Sequence, residues 1–503
     1  MSSATSSAKS SGAVVSHGAA PDLGPDRQEV GQEIRPDLCV IGAGSGGLTA
    51  AAAAAAFGVN VVLIERNRLG GDGLYSGALP SKALIAAAEH AEALRNGGRF
   101  GVKAVRFGVD FAAVRAHLRH TIAEVEPQDS RERFAGMGVR VLSGPARFTD
   151  RRTVAVKGFA VKARRFVIAT GSSPALPAIP GLAEVPHLTD QTVFDLAACP
   201  RHLIVIGAGS VGLELAQAFR RLGAAVTVLD AAPPLPDADA ECADIVLDGL
   251  RRDGIALRTG VTINRVRRVL AQLRVDIASE AGDETIEGSH LLVAAGRRPN
   301  LDDLDLDLAG IRYDLRGIAV DRRLRTSNKH VYAIGDVTDA PKFTHVAQHQ
   351  AGLVVRHALF RTPVRADRDV FPQVTYTDPE LAQVGLFEEE ARAQFGVIRV
   401  LRWPYRENDR AQTTRATYGH IKIVTDRRGD ILGASIVGAQ AGEAIAAWSL
   451  AISQKLNIGA FAGVIIPYPT YAEVGKRAAM TYFTRGLTSP TVRRVIGWLR
   501  RFG

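Results

Sequence analysis

The stretch VIGAGSGGL at Val40–Leu48 returns as VIGAGSVGL at Val205–Leu213, 165 residues later, and this repeat decides the fold. Each copy leads to a β-branched run that closes on an acid, VVLIE at Val61–Glu65 and VTVLD at Val226–Asp230. In both, the acid lies 23 residues after the first glycine of the turn. A lone G-x-G-x-x-G is weak evidence. Strand, glycine turn, helix, strand and terminal acid, found twice, predict two dinucleotide-binding βαβ units. Gly42 and Gly207 permit the tight turn, Gly44 and Gly209 let the backbone approach a pyrophosphate, and Gly47 and Gly212 allow close helix-to-strand packing. The helix N-terminus turns free N–H groups and the positive dipole end toward the phosphates. Glu65 and Asp230 are placed to accept hydrogen bonds from ribose hydroxyls. The bland alternative is two ordinary βαβ turns.

Bulk properties agree with such an α/β enzyme. A chain of 503 residues exceeds one hydrophobic core and predicts about three domains. Hydrophobic residues at 46%, charged residues at 23% and 50 glycines fit a soluble protein with many strand-to-helix turns. Cys39, Cys199 and Cys242 are too few and too scattered for a disulfide framework or a clustered metal site, so no metal is expected and a reducing, cytoplasmic setting is. Residues 1–35, rich in Ser, Ala and Gly and lacking a signal-peptide core, are expected to be a disordered tail. The alanine-rich stretch Leu48–Ile64 is broken by Gly58 and Asn60, which predicts a helix followed by a strand rather than a membrane span. Of the net charge of +10, residues 485–503 supply five arginines and no acid. With no aromatic-interleaved basic groove, nucleic acid is not an expected partner.

Other segments sharpen the picture. They are GGDGLYSGALPSK at Gly70–Lys82, FVIATGSSP at Phe166–Pro174, LVAAGRRPN at Leu292–Asn300, TSNKHVYAIGD at Thr326–Asp336, FPQVTYTDPELAQVG at Phe371–Gly385 and IIPYPTYAE at Ile465–Glu473. Together they resemble the class I pyridine nucleotide-disulfide oxidoreductases, the family of dihydrolipoamide dehydrogenase and mercuric reductase, over roughly residues 36–482. The resemblance implies two Rossmann-like domains, for FAD and NAD(P), the second inserted in the first, plus an α+β C-terminal dimerisation domain. The implied boundaries are 36–190 and 297–366 for FAD, 191–296 for NAD(P), 367–484 for dimerisation, and 485–503 for a basic tail. Asp336 would hold the ribityl chain of the flavin. Thr170, Gly171, Ser172 and Gly296, in the hinges between the nucleotide domains, are further cofactor-binding candidates. A homodimer is implied as well. Asp230 would repel a 2′-phosphate, and Ala231–Glu241 holds no Arg or Lys to bind one, so NADH is expected over NADPH.

One part of the outline is altered. Where the family has two redox cysteines, this chain has Gly73 and Ala78. Neither can form or attack a disulfide, because exchange requires a thiolate. Tyr468 stands where most members have a histidine base, and with an ordinary pKa of about 10 a phenol is a poor base at neutral pH. Glu473 matches the glutamate that orients that base. The C-terminal cysteine pair of mercuric reductases has no counterpart before RRFG, so mercury transfer by that route is not expected. Lys82 and Glu214 resemble a pair beside the nicotinamide face of the flavin, where an ammonium stabilises developing negative charge; the alternative is a structural ion pair. His345 is expected near the start of the helix that approaches the flavin, as a packing or hydrogen-bonding residue.

The expected function is FAD-dependent NAD(P)H oxidation with a small non-disulfide acceptor, such as a quinone, oxygen or a metal complex. A retired, flavin-bound scaffold is the alternative. Tyr75 and Tyr468 are candidates to stack on a flat acceptor or to pack beside the flavin ring. In the tail, Val492, Val495, Ile496, Leu499 and Phe502 share one helical face opposite arginines. That pattern fits either an interfacial membrane helix or a helix docked on the protein's own body.

Overall fold

The computed structural model describes residues 32–103, 107–366, 370–487 and 490–502. Up to residue 31, the tail expected to be disordered lies outside the described residues. Residues 32–34 correct that expectation. Gln32–Ile34 is a strand paired in parallel with Phe159–Val161, held by Gln32 N–H to the Gly158 carbonyl at 3.0 Å and Lys162 N–H to the Ile34 carbonyl at 2.8 Å. Composition missed it because a ladder needs only backbone groups on a neighbouring edge.

Two parallel five-stranded sheets carry the repeat. In the first, the order is Val331–Ala333, Arg165–Ile168, Leu38–Ile41, Val61–Glu65, Val139–Ser143. In the second it is Leu188–Thr189, His290–Val293, His202–Ile206, Ala225–Asp230, Ala256–Thr259. In both, the strand before the glycine turn is central, with the acid-ending strand on one side and a strand from much later in the chain on the other. The central strands Leu38–Ile41 and Leu203–Ile206 are buried throughout, as parallel strands covered on both faces must be. The two hinge segments pair with each other, Ser172–Pro174 antiparallel to Arg297–Pro299, so the chain leaves and re-enters the first unit at one point. The second nucleotide-binding unit is thus inserted in the first, and it begins before the implied boundary at residue 191, because Leu188–Thr189 is already a strand of its sheet.

The C-terminal part is an antiparallel sheet ordered Gln373–Thr375, Glu380–Gly385, Ile431–Gly438, His420–Asp426, Ile398–Pro404, with the helices Ala441–Ser453 and Glu473–Leu487 packed on it. A buried charge network fixes it to the inserted unit. Lys422 Nζ lies 2.8 Å from Asp239, 3.1 Å from Glu388 and 3.4 Å from Glu241, and Arg402 also bonds Glu241. Burial lowers the Lys422 pKa, but the carboxylates around it outweigh that and hold it above its ordinary value. Among the described residues no helix is long and apolar enough to cross a membrane.

Candidate functional site

Both glycine turns are built the same way, and their backbone spaces fit a dinucleotide. A Cβ on Gly42 (φ +100°) would lie 2.4 Å from the Ala169 carbonyl oxygen, and one on Gly207 (φ +114°) 2.3 Å from that of Ala294. Gly47 and Gly212 are equally closed, at 1.9 Å and 2.0 Å from the Gly42 and Gly207 carbonyl oxygens. Gly44 and Gly209 differ: an added Cβ meets nothing within 4 Å, so the backbone there faces open space at the N-terminus of a helix. That is the cradle a pyrophosphate needs.

The two acids close these cradles. Glu65 accepts from Ala43 N–H at 2.6 Å and Asn67 N–H at 2.8 Å; Asp230 accepts from Ala208 N–H at 2.6 Å and Ala232 N–H at 2.8 Å. Each carboxylate oxygen keeps a lone pair for a ribose hydroxyl.

Asp336 lies just after the strand Val331–Ala333. It accepts from Ser172 Oγ at 2.7 Å, and burial pushes its carboxyl above the ordinary carboxylate range. Around it the hinges converge. Thr170 Oγ1 donates to the Asn300 carbonyl at 2.8 Å, and Asn300 N–H donates to the Gly171 carbonyl at 2.9 Å. Gly296 has φ +113°, and its carbonyl accepts from Ala175 N–H at 2.9 Å. The centre of this cluster is Arg297, which sequence reading passed over. Its guanidinium donates to Ser172 Oγ at 2.8 Å and the Ser172 carbonyl at 3.0 Å, and pairs with Asp190 and, at 3.2 Å, with Asp72. One side chain thereby joins the hinge, the inserted unit and the loop at Gly70–Lys82. The signal was its place in GRRPN, but nothing local announced three partners.

Lys82 and Glu214, 132 residues apart, meet at 2.7 Å. Glu214 is nearly buried and also accepts from Tyr376 N–H at 2.9 Å; the Lys82 ammonium lies 4.4 Å over the Tyr376 ring centre. Two hydrogen-bonded elements and a cation–π contact therefore aim one ammonium.

The altered loop keeps a defined shape. Gly71–Tyr75 is one short helix, and Leu79–Asn96 starts a second. Gly73 faces Thr344, whose Oγ1 would be 3.7 Å from an added Cβ. Thr344 opens the helix that also carries His345. That histidine stacks on Phe343 and bonds the Pro372 carbonyl at 2.8 Å, the packing and hydrogen-bonding position expected of it. Tyr75 is held by two partners within the chain. Its hydroxyl donates to Glu126 at 2.8 Å beneath the Arg68 guanidinium, and burial with Glu126 pushes its pKa up to about 12. All three cysteines are free: Cys39 and Cys242 are fully buried, and Cys199 is half-buried.

Tyr468 is exposed and donates to Asp409 at 2.8 Å. That bond, the Asp409 charge and the Glu473 charge hold its pKa above the ordinary value. Asp409 carries no sequence signal, lying 59 residues away. Within the chain Tyr468 and Glu473 stay near each other and are not bonded to the Gly70–Lys82 loop. Among the described residues no group of His, Cys, Asp and Glu could hold a metal ion.

In the tail, the helix Pro490–Leu499 leaves Val495, Ile496, Trp498 and Leu499 exposed, followed by an exposed Phe502.

Comparison with known proteins accords with this geometry. Residues 36–351 match the pyridine nucleotide-disulphide oxidoreductase family, and residues 371–479 match its dimerisation domain. A mercuric reductase from Lysinibacillus sphaericus is 35% identical over 449 residues, which cover 89% of this chain and 82% of that protein. A dihydrolipoyl dehydrogenase from Thermus scotoductus is 37% identical over 449 residues, covering 87% and 95%. Among solved structures, the Cu(II) complex of the HOCl-induced flavoprotein disulfide reductase RclA from Escherichia coli superposes with a TM-score of 0.80 at 26% identity, covering 89% of this chain and 99% of that one. The dimerisation domain supports a homodimer. This chain belongs to the pyridine nucleotide-disulphide oxidoreductase family, whose members are FAD-dependent oxidoreductases that bind pyridine nucleotides.

Proposed function

We propose that this protein is an NAD(P)H oxidoreductase that delivers electrons to a small non-disulfide acceptor, a quinone, oxygen or a metal complex. FAD, when bound, supplies the two-electron relay between donor and acceptor. The observation that carries the reading is the loop: Gly73 and Ala78 offer no sulfur, and no free cysteine lies in the Gly70–Lys82 loop.

The chain's own residues divide the remaining work. The Gly42–Gly47 cradle with Glu65, Asp336 and the hinge residues Thr170, Gly171, Ser172 and Gly296 would hold FAD. The Gly207–Gly212 cradle with Asp230 would hold the nicotinamide nucleotide. Lys82, aimed by Glu214 and Tyr376, would stabilise negative charge gained at the reaction centre. With its proton committed to Asp409, Tyr468 would act as a neutral phenol at the acceptor side, beside Glu473 and supplied across the homodimer. Asp230 has no cation in the segment after it, which supports NADH over NADPH.

The test is anaerobic mixing with each nicotinamide, followed by an acceptor screen. NADH should bleach the flavin band, with NADPH about tenfold less efficient, a difference of about 1.4 kcal/mol. Quinones, oxygen or ferric complexes should restore the band. Turnover with lipoamide or glutathione disulfide would overturn the proposal.

The exposed apolar face of Pro490–Leu499, flanked by Arg493, Arg494, Arg500 and Arg501, supports peripheral contact with anionic lipid, from the cytoplasmic side if the expected setting holds. Deleting residues 485–503 should abolish sedimentation with phosphatidylglycerol vesicles; unchanged sedimentation would sink that contact.

A further inference from the structure

His330 is held between two arginines. Arg152 Nη2 lies 2.6 Å from its Nε2, and Arg165 Nη1 lies 2.9 Å from its Nδ1. A guanidinium only donates, and a neutral imidazole has one accepting nitrogen while the other carries hydrogen. One of the two contacts therefore sets donor against donor. Protonating the ring would remove the last acceptor, and burial with the charges of Arg152, Arg165 and Arg151 holds the His330 pKa below its ordinary value, the Arg164 carbonyl acting the other way. Arg165 Nε is buried with no hydrogen-bond partner. The cluster is short of an acceptor.

The surroundings are short of negative charge. His330 lines an open cleft with Arg151, Arg152, Ser327 and Lys329, and the one carboxylate there is Asp150. Asp150 already accepts from Arg152 N–H at 2.7 Å and also bonds Thr153. Among the described residues Arg151, Arg152 and Lys329 form no ion pair. The frame beneath them is fixed: the side-chain amide of buried Asn328 donates to the Arg151 carbonyl at 2.9 Å, and its oxygen accepts from His330 N–H at 3.1 Å.

The cleft is not part of either cradle. Arg165 opens the strand Arg165–Ile168, and His330 precedes Val331–Ala333. The glycine turn follows the opposite, C-terminal end of Leu38–Ile41, which runs parallel to both in the same sheet and pairs with Arg165–Ile168.

We infer that this cleft binds a phosphate group, drawn from a phosphorylated small molecule or a lipid headgroup, at a site separate from both dinucleotides. The phosphate oxygens accept from Arg151, Lys329 and from Arg152 drawn off the ring, while protonated His330 donates from Nε2 to the anion and from Nδ1 to the Arg164 carbonyl, the acceptor that Arg165 Nη1 already bonds at 3.0 Å. The anion offsets the repulsion from the three arginines, so His330 gains a proton and a second donor on binding. The sign follows: a pKa that is low in the free protein and raised in the complex makes binding take up a proton, so affinity rises as pH falls through that window. Asp150, Arg151 and Arg152 from the hairpin, Arg165 and the Arg164 carbonyl from the strand, and Lys329 are the groups that set it.

The experiment titrates inorganic pyrophosphate by calorimetry into the full-length FAD-bound protein, saturated with NAD+ to fill the second cradle. From pH 8 to pH 6 the affinity should rise about threefold to tenfold relative to that of the His330→Asn variant, which carries only the titration of pyrophosphate itself. The exposed pair of changes Arg152→Gln and Lys329→Gln should weaken it at least about tenfold, with NADH bleaching unchanged as a check on folding. His330→Asn should keep binding and show only the pH dependence that pyrophosphate itself brings. Binding to phosphatidylglycerol vesicles that depends on the same residues, without pyrophosphate binding, would assign the phosphate to lipid. Equal affinity of the double variant for both ligands would overturn the site.

Discussion

Cysteine placed at both Gly73 and Ala78 should enable this protein to reduce a disulfide substrate at that loop. The backbone accepts the change. Gly73 lies in a helix without a positive φ, and a Cβ there meets only Thr344 at 3.7–4.0 Å, an ordinary contact. Ala78 already carries a Cβ. Gly77 between them is kept, because a Cβ there would push the Asp72 carboxylate off Ser76 and Arg297. The turn is also tied by Ser76 and Gly77 to Asp72, and Asp72 to Arg297. The double variant should therefore reduce lipoamide with NADH slowly, limited by the missing base. Adding Tyr468→His should raise that rate about 100-fold. Its readout is NADH oxidation with lipoamide alongside a thiol titre. A double variant with titratable thiols and a bleachable flavin, yet no lipoamide turnover, would show that the loop has lost more than its sulfurs.

The parts of this site that the sequence made legible are those that act through local backbone chemistry. Gly42, Gly47, Gly207 and Gly212 are required by contacts under 2.5 Å, so their spacing survives as a readable pattern. Glu65 and Asp230 were legible because each closes its own turn. Lys82 and Glu214 were reachable only through family resemblance, since nothing within either segment announces a partner 132 residues away. Arg297 and Asp409 were passed over for the same reason: their roles come from what folding brings to them. The strand Gln32–Ile34 was hidden by a polar composition that a backbone ladder does not need to avoid. The partners of Tyr75 were hidden in the same way, since Arg68 covers its ring and Glu126, 51 residues away, accepts from its hydroxyl.

Lys82→Met separates a functional ammonium from a structural one. Methionine keeps most of the side-chain length and removes the charge. Lys82 is about one-third exposed, at 37% of its side chain, so its pairing with Glu214 is partly screened and contributes little net stability. Glu214 keeps the Tyr376 N–H at 2.9 Å, which limits the penalty for the carboxylate left behind. The thermal midpoint should therefore move by only a few degrees. The rate of flavin bleaching by NADH should fall about 100- to 1000-fold, about 2.7–4 kcal/mol, if the ammonium meets charge that develops during electron transfer. Oxidation of the pre-reduced protein by its acceptor should change less, because the ammonium stabilises the state that is being discharged. A purely structural pair would give the reverse: a lower midpoint with an unchanged bleaching rate. Stopped-flow reduction beside a melting curve distinguishes them, and the reverse pattern would remove Lys82 from the catalytic residues.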